Sequence, residues 1–287
     1  MRLLLPCLLA VALLTPACAG QRGDRYAAFQ PTETLSYRQI GDGDLRVHVF
    51  RPRTEAPADG ELRPAVLFFH GGSWTRGRPG RFFPHARALA DRGMIALSAA
   101  YRLQGTHGTG VPEAIEDAKA AYAWLLEHAR ELGVDRDRIV VGGGSAGGHL
   151  AAAVALMEPL PAVPPVAMVL YNPALDTHPD DIPSGMRWMA ASRLEALFEG
   201  RYRELSPAQY VRVGTPPSAV FHGTEDSLVP IHKARTFCAR LLAVGSACTL
   251  HEYPGAEHGS FNYGWGRHYE DAVLKTAQFL GDIGLIP

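Results

Sequence analysis

The chain has 287 residues, of which 47% are hydrophobic and 20% are charged, and its formal net charge is −1. This length suits one well-filled α/β domain and is short for two. The charge and the lack of a basic run in the sequence argue against a nucleic-acid partner, because recognition of a polyanion needs clustered Lys and Arg.

The N-terminus has the form of a secretory signal. Arg2 precedes an uncharged apolar run over 3–19, which ends in small residues. We expect cleavage after Ala19, which leaves 20–287 as one domain of a secreted or periplasmic protein. The run is shorter than the ~20 residues of a spanning helix. Cys18 keeps a lipoprotein alternative open, and a membrane is a partner only if that cysteine is lipidated.

Predicted strands alternate with helical patterns along most of the chain, after an initial pair joined by a Gly-Asp-Gly-Asp hairpin signal. The strands are predicted near residues 35–40, 45–50, 65–70, 95–100, 138–143, 166–171, 217–222 and 248–253. The clearest helix runs from Pro112 to about Leu132, where Gly133 stops it. This alternation predicts an α/β fold with a mostly parallel central sheet flanked by helices.

A Gly-x-Ser-x-Gly sequence centred on Ser145 follows the strand near 138–143 and precedes an alanine-rich helix. The motif alone is weak, because glycine and serine are common in ordinary loops. Its strand and helix are the context that a nucleophile elbow requires, and the glycines let the sharp turn close. Ser145 is therefore the predicted nucleophile.

A serine nucleophile needs a base and a group that orients the base. In this kind of site the chain order is serine, acid, histidine. Asp226 stands just past the strand near 217–222, and we choose it over its neighbour Glu225. His258 lies in a glycine-flanked loop after the last strand, whereas His251 lies within that strand. We therefore predict His258 as the base.

The negatively charged oxygen of an acyl-transfer intermediate needs preset hydrogen-bond donors. The strand near 65–70 runs directly into Gly71 and Gly72, where a backbone without side chains can face a substrate. Gly71, Gly72 and the N–H of Ala146 form the predicted oxyanion hole. His70 is expected to brace this loop rather than to transfer protons.

These motifs resemble those of α/β-hydrolases of the hormone-sensitive-lipase and acetyl-esterase branch, including acetylxylan- and feruloyl-esterase-like enzymes. The matching segments are 70–74, 100–103, Asp117 with Trp124, 143–148, 222–226 and 258–261. Ser73 stands where the family pattern has a third glycine. Serine peptidases of this fold often carry an aromatic residue after the nucleophile, so Ala146 favours an esterase.

The resemblance implies a serine carboxylesterase that hydrolyses short-chain acyl esters through an acyl-enzyme. Together with export, it points to acetyl or feruloyl esters of small molecules or polysaccharide, with Trp74, Trp188 and Trp265 available to stack on sugar or aryl rings. We expect no cofactor, because the protein itself supplies nucleophile, base and donors. We expect no metal either, since no His-Glu-x-x-His or paired Cys-x-x-Cys spacing occurs.

Two other classes of protein remain as alternatives to a serine carboxylesterase. One is a serine peptidase or amidase on the same fold, and the other is a non-catalytic binding protein, although no triad member is missing.

The segment 172–206 interrupts the alternation of predicted strands and helices. It predicts a helix that either packs on the body or forms a short lid-like insertion at the edge of the sheet where ligands bind.

Four cysteines are present, and removal of the signal would leave Cys238 and Cys248. Cys238 lies in a helical run and Cys248 opens the last strand, ahead of His258. An oxidising compartment would pair them. We therefore predict a disulfide that holds the loop of the base in place.

Overall fold

The structure is a computed structural model, and it describes residues 26–41, 43–53, 61–178, 191–264 and 266–287. The predicted signal, the lipidation candidate Cys18 and the ring-stacking candidates Trp188 and Trp265 lie outside these ranges. No helix within the described ranges combines the length and the apolar character needed to span a membrane.

The described residues form eight strands and eight helices. The strands are β1 Glu33–Ile40, β2 Gly43–Phe50, β3 Arg63–Phe69, β4 Ile95–Ala99, β5 Val134–Gly144, β6 Ala167–Tyr171, β7 Ser218–Gly223 and β8 Cys248–Tyr253. The helices are α1 Phe83–Ala90, α2 Gln104–His107, α3 Val111–Glu127, α4 Ala129–Leu132, α5 Ala146–Leu156, α6 Ala191–Phe198, α7 Ile231–Ala243 and α8 Tyr269–Asp282. Short 3₁₀ turns occupy Pro79–Phe82 and Pro207–Tyr210.

All eight strands join one sheet in the order β1-β2-β4-β3-β5-β6-β7-β8. β1 and β2 form the predicted antiparallel hairpin, and β2 also pairs antiparallel with β4. Every other pairing is parallel. The predicted α/β class with a mostly parallel sheet is therefore confirmed.

Helices cover both faces of the sheet, which is why its central strands are continuous apolar runs. α3, α5 and α7 contribute to the core on one face. α1 and α8 contribute to the core on the other. Every residue of α5 is buried, so the helix that follows the Gly-x-Ser-x-Gly turn lies in the middle of the molecule.

The predicted elements differ from the observed ones mainly at their ends. β5 begins at Val134 rather than near 138, because Val134 pairs with Arg63 before a register shift in the ladder. The long predicted helix is divided into α3 and α4 at His128, and Gly133 follows α4 with a left-handed φ of 74°. Such ends depend on pairing partners that local sequence does not reveal.

A disulfide joins Cys238 in α7 to Cys248 at the start of β8, with Cα atoms 5.3 Å apart. This is the pairing that the sequence predicts. It fixes a helix on the face of the sheet to the strand that leads into the His258 loop.

Candidate active site

Ser145 lies on a strained turn between β5 and α5. Its φ of 55° and ψ of −121° are unusual for a residue with a side chain, and its N–H donates to the Tyr171 carbonyl at 2.9 Å. A Cβ at Gly143 would lie 2.4 Å from the Gly147 oxygen, and one at Gly147 would lie 2.0 Å from the Phe69 oxygen. Both glycines of the motif are thus required by close backbone approach, and the turn they permit presents the serine hydroxyl.

The three predicted triad residues are in hydrogen-bond contact. The Ser145 hydroxyl lies 2.9 Å from His258 Nε2, and His258 Nδ1 lies 2.8 Å from Asp226 Oδ2. The three residues follow the carboxyl ends of β5, β8 and β7. Because these strands are parallel, their ends meet at one edge of the sheet, where open α/β sheets bind ligands.

The Asp226 carboxylate is buried and held from several sides. Its Oδ1 accepts the backbone N–H groups of Leu228 and Val229 at 3.0 and 2.8 Å. Burial alone raises the pKa of Asp226, but hydrogen bonds from His222 and His258, the charge of His258 and the Val229 N–H outweigh it and hold that pKa below its usual range. The group is therefore an anion that can orient an imidazole and stabilise its charge.

Glu225 is the neighbouring acid that the sequence left as the alternative to Asp226. Its side chain is exposed, and its backbone N–H donates to the Ala256 carbonyl at 3.0 Å. The geometry thus places Asp226, and not Glu225, against His258.

The two glycines of the predicted oxyanion hole lie beside the serine. A Cβ at Gly71 would meet the Gly144 oxygen at 2.8 Å and the Ser145 Cβ at 3.2 Å. Gly72 has a φ of 140°, and a Cβ there would lie 1.8 Å from the Arg76 oxygen. In the described part of the chain, no protein acceptor receives the N–H groups of Gly71, Gly72 or Ala146. These groups are placed to receive a developing negative charge.

His70 braces the loop from below. Its ring stacks on Tyr101 with centroids 4.4 Å apart, and the Tyr101 hydroxyl donates to the His70 carbonyl at 2.7 Å. Its Nδ1 donates to the Gly71 carbonyl at 3.0 Å. Burial lowers the pKa of His70 to about 4, so the ring is neutral near pH 7.

A cavity of about 310 Å³ opens over Ser145 and His258. Phe82, Tyr171 and Phe261 give it an aromatic wall. This volume is at the small end of the range for ligand sites.

Asn172 also lines the cavity, although the sequence analysis did not identify it. Its amide nitrogen lies 3.3 Å from His258 Nδ1 and 3.2 Å from His258 Nε2. The residue directly follows β6 and has a φ of 38°, a conformation that asparagine tolerates better than most residues. A polar residue just past a buried strand at the carboxyl edge was the available signal.

The prediction that Trp74 contacts substrate is wrong. Its side chain is only 4% exposed and packs edge-on against His149 and Phe198, with centroids 5.0 and 5.2 Å away. Ser73 and Trp74 have φ angles of 53° and 56°, and this left-handed turn directs the indole into the core. Trp74 is therefore a packing residue.

The described part of the predicted insertion packs on the body. Phe198, at the end of α6, contacts Trp74 and stacks on Tyr202 with centroids 5.0 Å apart. Residues 179–190, with Trp188, lie outside the described residues.

Within the described ranges, no group of three His, Cys, Asp or Glu side chains could hold a metal ion.

Comparison with known proteins gives consistent results. A family model described as the alpha/beta hydrolase fold matches residues 66–262. The esterase LipQ of Mycobacterium tuberculosis is 31% identical over 82% of this chain and 58% of its own length. Carboxylesterase NlhH of the same organism is 37% identical over 81% of this chain and 77% of its own. The chain spans between 54% and 62% of the length of three mycobacterial relatives.

Solved structures extend the likeness to three dimensions. Esterase Est2 of Thermogutta terrifontis with propionate bound has a TM-score of 0.79 and 36% identity, covering 88% of this chain and 95% of that one. The Thermogutta terrifontis esterase 2 phosphonylated by sarin has a TM-score of 0.81 and 35% identity over the same shares. With the elbow, the strand order and the family match in agreement, the chain belongs to the α/β-hydrolase-fold family, in its hormone-sensitive-lipase-like branch.

Proposed function

We propose that this chain is a secreted serine carboxylesterase that hydrolyses short-chain acyl esters through Ser145, His258 and Asp226. One observation carries the proposal: the Ser145 hydroxyl, the His258 ring and the Asp226 carboxylate form a continuous relay with contacts of 2.9 and 2.8 Å. The relay lies beside backbone N–H groups that have no acceptor in the described protein. Relatives and structural neighbours that are named esterases support the same activity.

In the first half of the reaction, His258 Nε2 takes the proton of the Ser145 hydroxyl as the oxygen attacks the ester carbonyl carbon. The carbonyl oxygen becomes an oxyanion, which the N–H groups of Gly71, Gly72 and Ala146 stabilise. When the intermediate collapses, the bond to the alcohol oxygen breaks and His258 gives its proton to the leaving alcohol. The acyl group is then bonded to Ser145.

In the second half, His258 removes a proton from water, and the resulting nucleophile attacks the acyl carbon. The bond to the Ser145 oxygen breaks, and that oxygen recovers a proton from His258. Throughout both halves the Asp226 carboxylate fixes the ring with Nδ1–H toward itself and stabilises the imidazolium.

The small cavity supports a short acyl group, because about 310 Å³ with an aromatic wall has little room for a long chain. Est2 has been solved with propionate and with butyrate bound. Acetyl and feruloyl esters, free or on polysaccharide, are the natural substrates that we propose within this class. The family resemblance supports them.

Export is proposed from the form of the N-terminal segment alone, with anchoring through Cys18 as its alternative. Mass spectrometry of the protein recovered from its own cells tests both. A mature chain that begins at residue 20 supports export, and an acylated Cys18 supports anchoring.

The activity is tested with p-nitrophenyl esters from acetate to decanoate, with p-nitroacetanilide as the amide probe. We expect kcat/KM to be highest at two to four carbons and the anilide to be nearly inert. Ser145→Ala should lower kcat by at least about 10³-fold without changing the circular dichroism spectrum. Ser246→Ala, in the turn between α7 and β8 and outside the described lining of the cavity, is the matched control. Near-normal turnover by a folded Ser145→Ala protein would falsify the assignment, and preference for the anilide would favour an amidase.

A further inference from the structure

Two arginines line the cavity that contains Ser145. Arg76 is exposed and Arg81 is half-buried, and the described lining includes no Asp or Glu side chain. The Asp226 carboxylate lies beneath His258, where it is buried and fully engaged. The described wall of the cavity is therefore cationic.

The backbone holds both arginines close to the oxyanion glycines. The Arg76 N–H donates to the Gly72 carbonyl at 3.1 Å, which closes the turn over 72–76. Arg81 lies on the 3₁₀ turn Pro79–Phe82, and its Nη1 donates to the Gly71 carbonyl at 3.4 Å. Both arginines thus belong to the segment that follows the oxyanion glycines and lines the cavity.

Neither arginine has an acidic partner among the described residues, whereas many arginines elsewhere do. Arg38 and Arg102 both bind Asp117, Arg51 binds Glu33, and Arg235 binds Glu252, all at 2.6–2.8 Å. Among the described residues, Arg81 makes only the long contact with the Gly71 carbonyl oxygen. A partly buried guanidinium without a counter-charge is free to form an ion pair with an anionic ligand.

A neutral polar group lies in the same wall. His85 is buried, lines the cavity, and makes no hydrogen bond of ordinary geometry through either ring nitrogen. Burial lowers its pKa to about 3, with the Phe261 carbonyl acting in the opposite direction, so the ring is neutral near pH 7 and adds no charge to the wall.

We infer that this cavity selects esters that carry a carboxylate in their acyl or alcohol part, with Arg76 and Arg81 as the groups that bind it. The inference rests on the proposed esterase function and names its substrate class. Guanidinium groups bind carboxylates through paired, charge-assisted hydrogen bonds. A cleft lined by one sign of charge also raises the local concentration of the opposite charge.

The test compares matched esters that differ in one negative charge. The first pair is 4-acetoxybenzoate and methyl 4-acetoxybenzoate, with the carboxylate on the alcohol part. The second pair is monoethyl succinate and ethyl butanoate, with the carboxylate on the acyl part. Each kcat/KM is divided by the rate constant for alkaline hydrolysis of that ester, which removes differences in intrinsic reactivity.

For the wild-type protein we expect the anionic ester to be favoured by about tenfold or more in at least one pair, since one charge-assisted contact contributes that much. The preference should weaken as salt is added. Arg76→Gln and the double change with Arg81→Gln should reduce the preference by about tenfold, chiefly through KM. Arg78→Gln, on the same segment but outside the described lining, should leave the preference unchanged.

A second measurement needs no variant. Benzoate should inhibit hydrolysis of p-nitrophenyl acetate competitively and at least about tenfold more tightly than benzamide, which has the same shape without the charge.

The outcomes separate the two proposals. Equal normalised rates within both pairs, or a preference that Arg76→Gln and the double change do not alter, would overturn the inference and leave the esterase function standing. An equal loss on neutral and anionic esters would also overturn it, because it would assign the arginines to the oxyanion loop. If the wild-type protein hydrolyses none of the four esters and no p-nitrophenyl ester, the proposed function fails and the inference fails with it.

Discussion

The side-chain amide of Asn172 lies against the ring of His258, almost equally far from Nδ1 and Nε2 at 3.3 and 3.2 Å. A donor aimed at one nitrogen lone pair would be close to that nitrogen alone. Asn172 therefore contacts the ring as a whole and limits its tilt, while Asp226 fixes one end of it. The imidazole is held from two directions.

Removal of this contact should slow the reaction more than it weakens binding. We expect Asn172→Ala to lower kcat by about 10- to 100-fold, because small misplacements of reacting groups have effects of that size. Asn172→Asp keeps the shape and adds a charge that favours the imidazolium, so the acid limb of the kcat/KM profile should move to higher pH. Full pH profiles of both variants provide the check. A profile of Asn172→Asp identical to wild type would rule out direct contact with the ring in solution.

The two neighbouring acids should differ sharply in effect. Asp226→Asn removes the anion that orients His258 and should reduce kcat by about 10⁴-fold. Glu225→Gln changes an exposed side chain and should have little effect. Kinetics of the two variants, with thermal melts to confirm folding, decide the matter. The reverse ranking would move the orienting role to Glu225.

Stability should fall as the solution is acidified below about pH 6.5. Burial lowers the pKa of His70 and His149 to about 4 and that of His85 to about 3, so these rings stay neutral while the unfolded chain takes up protons. The unfolded state binds more protons in this window, so the free energy of unfolding decreases with falling pH, by up to about 1.4 kcal/mol per pH unit for each histidine.

Urea unfolding at several pH values between 7.5 and 4.5 measures this slope. His149→Gln should make the slope shallower, because one buried ring no longer titrates. His232→Gln changes an exposed histidine and serves as the control. A free energy of unfolding that is constant over this range would contradict the prediction.

Reduction of the Cys238–Cys248 disulfide should lower the free energy of unfolding by about 2 to 3 kcal/mol in the chain-entropy model. Activity should decline before the whole domain unfolds, because β8 leads directly into the loop that carries His258. Urea melts and rates with and without dithiothreitol test both statements. The double variant Cys238→Ala with Cys248→Ala is the control and should not respond to reductant. Two free thiols in protein purified under oxidising conditions would contradict the prediction.

The parts of the site that depend on local chain geometry could be predicted from the sequence. Close backbone approach requires glycine at positions 143 and 147, and a strand followed by a helix is visible as a hydrophobic pattern around Ser145. Asp226 and His258 could be placed because parallel strands bring their carboxyl ends to a common edge. These features need no knowledge of which side chains touch.

The positions of the Trp74, Arg81 and Asn172 side chains were not predicted from the sequence. Trp74 is adjacent in sequence to the oxyanion loop, yet two successive left-handed residues turn it into the core. Arg81 reaches the cavity because the 3₁₀ turn Pro79–Phe82 folds back toward Gly71. Asn172 meets His258 across 86 residues of chain. Each outcome depends on tertiary contacts between distant segments.

Ser145 and His258 meet across 113 residues, and the strand that delivers the histidine is the last in the sheet, paired only with β7. A chain synthesised at roughly 5 to 20 residues per second therefore exposes the serine for about 10 s before the base has been made. The hydrogen-bonded triad of Ser145, His258 and Asp226 is complete only once β8 has docked on the sheet. A chain that has formed its nucleophile turn but has not yet docked β8 therefore has a serine hydroxyl without its general base.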